Sequence, residues 1–171
     1  MKKSLIIFIV AISALFALTG CNSSSIKVQA KDAQTRVQKS FKAEPKKAGE
    51  TLKKLKIHLP FGMSVKKEAE NNVILKKGSN TYILFYNPKE SAKSELVYQM
   101  TKKQSKSIYK EFTFKDKKRF GYLIINKIKK DYYEVSVGIG GIKLTTETKT
   151  SHVASEAEMM MDIVSSATYK K

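Results

Sequence analysis

Tyr132-Tyr133-Glu134-Val135-Ser136-Val137-Gly138-Ile139-Gly140-Gly141-Ile142-Lys143-Leu144 is the stretch on which the fold turns. Tyr133, Val135, Val137 and Ile139 alternate with Tyr132, Glu134, Ser136 and Gly138. A period of two gives a strand one apolar face and one polar face. Gly140-Gly141 supplies a tight turn, and Ile142 and Leu144 carry the inward face into a returning strand that runs to Thr148. The glycines at 138, 140 and 141 also invite comparison with a phosphate-cradling loop. No Lys-Ser/Thr follows them and no helix opens there, so the hairpin is the better reading.

Working outward, Phe120 to Ile128 and Ile108 to Phe114 read as two more strands. Val73 to Leu75 and Thr81 to Tyr86 form another pair, joined through Lys76 to Asn80, where Gly78-Ser79-Asn80 provides turn residues. Tyr82-Ile83-Leu84-Phe85-Tyr86 has no polar face, which predicts a central strand covered on both sides. Leu55, Ile57 and Leu59 alternate with Lys56, His58 and Pro60, an opening strand stopped by Pro60-Phe61-Gly62. Leu96, Val97 and Met100 predict a helix over Ala92 to Ser105. A last helix is predicted from the capping-box form Ser155-x-x-Glu158 and from Ala157, Met160, Met161, Val164 and Ala167 at three- and four-residue steps. The fold class is therefore α+β: an antiparallel β-sheet meander with helices packed on it, including a C-terminal helix.

The order of strand, Pro-x-Gly turn, hairpin, Asn-Pro stop, helix, long meander and terminal helix is carried by particular residues. They are Leu59-Pro60-Phe61-Gly62-Met63, the strand end from Tyr82 to Pro88, and the helix ending at Ser166-Ala167. This order resembles the small αβα sandwiches of the PsbP-like group, which includes many bacterial lipoproteins. Met63 stands where that group often has Trp, and the chain has no Trp at all. The resemblance implies a fold more than a function.

The N-terminus carries the second informative stretch. Lys2 and Lys3 precede an apolar run from Leu5 to Leu18, and Leu18-Thr19-Gly20-Cys21 closes it. A charged start, a short apolar core and small residues before a cut are the marks of a secretory signal. The run is short of the roughly 20 residues that a membrane span needs. With Cys at the boundary, the segment resembles a bacterial lipoprotein signal and its lipobox. That resemblance implies cleavage between Gly20 and Cys21, leaving Cys21 as a lipidated N-terminus with a diacylglyceryl thioether and an N-acyl chain. A thiolate is the nucleophile such chemistry requires. The division that follows is a signal peptide over 1–20, a lipidated N-terminus and polar tether over 21–50, and one α+β domain over 51–171. Ile26, Ala30, Ala33, Val37 and Phe41 lie near one thin helical face, so the tether is a spacer with helical tendency, ended by Pro45. A partner-docking helix is the other reading of it.

The chain has 171 residues, with 33 Lys plus Arg against 15 Asp plus Glu. Without Lys2 and Lys3, 31 basic residues face the 15 acidic ones, a net +16. Arg36 and Arg119 are the only arginines. Lysine is a hydrated point charge rather than a bidentate phosphate reader, so the balance implies diffuse attraction to polyanions. Pairs such as Lys46-Lys47, Lys66-Lys67 and Lys102-Lys103 are equally compatible with solvated faces.

Catalytic chemistry is thinly supplied. His58 and His152 are far apart, with no second ligand at metal spacing, and read as surface residues. No Ser lies in a Gly-x-Ser-x-Gly setting. Asp32, Asp116, Asp131 and Asp162 read as turn, spacer or helix residues, and Glu68 and Glu70 as a charged loop. Tyr109, Phe112, Phe114, Phe120, Tyr122, Tyr132 and Tyr133 interleave with Lys115, Lys117, Lys118 and Arg119, a pattern that can stack nucleobases. Their strand spacing assigns most of the rings to the core. Met159-Met160-Met161 reads as core packing, with two of the three facing the sheet. The expectation is a non-enzymatic surface lipoprotein on the extracytoplasmic face of a cell membrane. It would need no metal or cofactor and bind no nucleic acid, and it would bind or assist an envelope protein or an anionic wall polymer. The alternative is a small-ligand carrier with a pocket between the sheet and the C-terminal helix.

Overall fold

A computed structural model describes residues 25–170. These form three α-helices: α1 (Ile26–Lys42), α2 (Leu96–Gln104) and α3 (Val153–Ser166). The strands are β1 (Glu50–Thr51), β2 (Leu55–Ile57), β3 (Met63–Glu68), β4 (Asn72–Lys77), β5 (Asn80–Tyr86), β6 (Ile108–Lys115), β7 (Phe120–Lys129), β8 (Tyr132–Ile139), β9 (Ile142–Lys149) and β10 (Thr168–Tyr169). The main sheet has seven strands in the order β3-β4-β5-β9-β8-β7-β6, and β1, β2 and β10 make a small second sheet. Every pairing in both sheets is antiparallel. The large sheet is thus two meanders joined where β5 meets β9, with Leu84 opposite Leu144. The chain is an α+β protein.

Alternation dictates which side of the sheet becomes the core. Val73, Leu75, Tyr82, Leu84, Leu123, Val135, Val137 and Leu144 point to one face and are fully buried. On that face lie α1 and α3 side by side. Their first turns meet where the Ala154 N–H donates to Gln29 Oε1 at 3.1 Å, and further along Arg36 Nη1 pairs with Glu158 Oε2 at 3.1 Å. Two-residue turns hold the β8–β9 hairpin, where Gly140 takes a φ of +53°. Gly138 is needed for another reason: a Cβ there would lie 2.4 Å from the Tyr122 ring.

Four expectations change. The segment read as a polar tether is the first helix of the domain, with Ala30, Ala33, Val37 and Phe41 buried against α3 and the sheet. Small alanines let the helix backbone approach, and burying Val37 and Phe41 contributes about 3–6 kcal/mol. That is too much for a spacer to give up, so the folded unit begins at Ile26 rather than at residue 51. The β5 strand is covered on one face only: Tyr82, Leu84 and Tyr86 are buried while Ile83 is exposed. Glu68 ends strand β3 rather than sitting in a loop, its Oε2 accepting from the Lys53 N–H at 2.8 Å. The last helix starts at Val153 after a 3₁₀ turn over Thr150–His152, so Ser155 lies inside it and donates to the His152 carbonyl instead of capping.

Candidate functional site

The second face of the sheet is only half covered. Over β6 and β7, α2 lays Tyr98 against Phe120 and Tyr122, with ring centres 5.4 and 5.3 Å apart. The other half, over β5, β9 and β8, is open. Between the C-terminal end of α2 and these strands runs a cleft of about 320 Å³, which continues into a hollow of about 490 Å³ towards β5. Ser136 is small where a longer side chain would fill the space.

The register assembles the cleft. Lys143 stands opposite Gly138, Thr145 opposite Ser136, and Glu147 opposite Glu134, which in turn faces Asn126 on β7. The Ser136 and Thr145 hydroxyls are hydrogen-bonded to each other at 2.9 Å. The Asn126 amide donates to Ser105 Oγ and to Glu134 Oε1, each at 2.9 Å, which ties α2 to the sheet. Its carbonyl oxygen is buried with no partner among the described residues. Burial holds the Lys143 ammonium below the ordinary lysine range, and the nearby Glu134 charge opposes that shift. This set can hold a small polar ligand through a cation, two hydroxyls and carboxylates. It does not assemble an activated nucleophile, because Ser136 is bonded to Thr145 rather than to a base. None of these residues was singled out from the sequence. Two short polar side chains, Ser136 and Thr145, side by side on the outward face of a hairpin are the signal that marks such a hollow.

A second hollow, about 410 Å³, opens at the C-terminal end of α3. Ile139 and Ile142 from the β8–β9 hairpin, and Val164, Ala167 and Tyr169 from the chain end, give it apolar walls, with Arg119 at its rim. The Ser165 hydroxyl in its wall is buried without a partner among the described residues. The interior between α3 and the sheet is filled, with Met160, Met161 and Ile163 fully buried.

The residues singled out from the sequence fall as follows. Gly20 and Cys21, with the rest of the signal segment and Asn22 to Ser24, lie outside the described residues. His58 follows β2, where its N–H donates to Ser166 Oγ at 2.7 Å, and His152 precedes α3 on the surface. Among the described residues no group of three His, Cys, Asp or Glu could hold a metal ion. Asp32, Asp116 and Asp162 serve ion pairs with Arg36, Arg119 and Lys46, and Asp131 forms the β7–β8 turn with a φ of +59°. Phe114, Phe120, Tyr122 and Tyr133 are buried, as are Met160 and Met161, while Met159 stays partly exposed with Lys77 Nζ on its sulfur at 3.3 Å. No helix among the described residues is long and apolar enough to cross a membrane. Compared with known proteins, the sequence matches no family model and no curated protein.

Proposed function

We propose that the chain is a bacterial surface lipoprotein, held on the extracytoplasmic face of the cell membrane by lipids on Cys21. Its basic α+β domain binds or assists an envelope protein or an anionic wall polymer and does no chemistry of its own. The observation that carries the reading is Leu18-Thr19-Gly20-Cys21 after a charged start and an apolar run. Helices on both faces of the seven-stranded sheet support the αβα resemblance to PsbP-like lipoproteins. Two acyl chains anchor stably where one binds only marginally, at about 0.8 kcal/mol per buried methylene. Metabolic labelling with palmitate and membrane fractionation test the anchor. Cys21→Ser should abolish labelling, whereas full membrane retention with undiminished label refutes the lipobox.

The second reading, a small-ligand carrier, is favoured by the apolar hollow at the end of α3, with the unpartnered Ser165 hydroxyl in its wall. Native mass spectrometry of protein purified from its host distinguishes the two. A stoichiometric small molecule, lost on Ile142→Trp, supports the carrier, and its absence supports the interaction module.

A further inference from the structure

The start of α1 stands at one end of the main sheet. Ser25 and Ile26 line a hollow with Asp131, Tyr133, Lys149 and Thr150, beside the β7–β8 turn and the last residue of β9. Cys21 is four positions before Ser25. Four residues, fully extended, reach at most about 14 Å. With α1 packed into the core, a lipid on Cys21 holds this end of the domain near the bilayer, and no long spacer intervenes.

The same end is basic. Lys127, Lys129 and Lys130 flank the β7–β8 turn, Lys149 pairs across from Tyr132, Lys106 follows α2, and Lys27 is in the first turn of α1. All six are exposed. Asp131 lies in the turn, and Glu134 and Glu147 face the cleft one row further in. Among the described residues none of them lies within 4 Å of these six ammonium groups. The opposite end is basic too, with Lys117 and Lys118 exposed, but it carries three ion pairs: Lys46 with Asp162 at 2.6 Å, Lys115 with Glu95 at 3.6 Å, Arg119 with Asp116 at 2.9 Å. Two large apolar side chains stand exposed among the six lysines, Val28 at 55% and Ile128 at 45%. Lys129 stands over the Tyr132 ring at 5.0 Å, and none of the six is ion-paired among the described residues. Lysines without carboxylate partners around exposed apolar residues suit an anionic lipid surface, where the charges meet headgroups and the apolar groups enter the acyl boundary.

We infer that the end of the sheet formed by the β7–β8 turn, Lys149 and the start of α1 docks against the anionic headgroups of the membrane that holds Cys21. The inference rests on the lipidation proposed above. It fixes the orientation of the domain: α1 and α3 rise away from the bilayer, and the hollow at the end of α3 faces outward.

Amine acetylation read lysine by lysine in a mass spectrometer tests it. Full-length lipidated protein is placed in vesicles of equimolar phosphatidylglycerol and phosphatidylcholine, and in phosphatidylcholine alone. Lys127, Lys129, Lys130 and Lys149 should react several-fold more slowly on the anionic vesicles, with Lys117 and Lys118 unchanged. Equal reactivity, or protection of Lys117 and Lys118 instead, overturns the inference. Protection by soluble polyphosphate without protection by vesicles also overturns it, in favour of a wall polymer. A chain that begins at Asn22, with neither the apolar run nor the lipid but with every described residue, separates docking from anchoring. At low salt its residual affinity for anionic vesicles should fall about a hundredfold in K127Q/K129Q/K130Q, at about fivefold per lysine. It should hold in K115Q/K117Q/K118Q, with circular dichroism confirming both folds. An equal loss in the two triple variants rejects the docking surface, whatever the fate of the lipid.

Discussion

The ring of Phe41 lies where a Cβ on Gly121 would be only 2.8 Å away, and the Arg119 guanidinium stands 4.6 Å from its centre. Arg119 also donates to the Phe41 carbonyl at 2.6 Å and is itself held by Asp116. Phe41→Ala should therefore cost about 3–5 kcal/mol in urea unfolding; a loss below 1 kcal/mol would mean that α1 is not part of the core. Gly138→Ala should cost about 1–3 kcal/mol, since the Tyr122 ring must move. Lys143 makes a test through pH. Its proton is bound less tightly in the folded chain than at the ordinary 10.5, because burial disfavours the charge. A lowered lysine value penalises stability below it, and the penalty fades as pH rises towards the unfolded value. Lys143→Met should thus raise Tm at neutral pH, by an amount that shrinks as the pH approaches 10.5; a gain that grows with pH would contradict the burial.

At the level of elements, removing residues 1–42 should leave the apolar face of α3 uncovered. The remainder is expected to bind a hydrophobic dye and lose near-ultraviolet dichroism, where loss of a mere tether would leave both unchanged. Strands β4 to β9 were legible from the sequence because alternation, turn glycines and Asn-Pro mark their ends. β3 was not, since Lys66, Lys67 and Glu68 give it the composition of a loop and a register shift between Val65 and Lys67 breaks its pattern. The helical spacing of Ala30, Ala33, Val37 and Phe41 was visible, but its burial was not, because the surface that covers it belongs to α3 at the other end of the chain. The open half of the second face was hidden for a similar reason. Ile83 and Phe85 are as apolar as Leu84, and only the short reach of α2 leaves Ile83 exposed and Phe85 half-buried. The cleft residues Asn126, Glu134, Ser136, Lys143 and Thr145 come from three strands, and pairing rather than sequence proximity gathers them.

On the scale of the whole molecule, α1, both sheets and α3 share one hydrophobic cluster. The link after α1 is exposed at Lys47. Limited trypsin treatment should nick it there, and the two pieces should co-elute until denaturant is added. Early separation would show that α1 is a dispensable appendage.

The partnership of α1 with α3 also bears on when the molecule can form. Arg36 and Glu158 are 122 positions apart, and Leu84 finds Leu144 only after a whole second meander has been made. Contacts between such distant positions pay their loop-closure entropy before they return anything, and chains that depend on them fold slowly. Phe41 can meet Phe114 and Gly121 once β6 and β7 are made, but the α1 residues that lie against α3 wait for residues 153–166. The hairpins β6–β7, β7–β8 and β8–β9 close locally, so the α1–α3 seam is the contact that sets the pace.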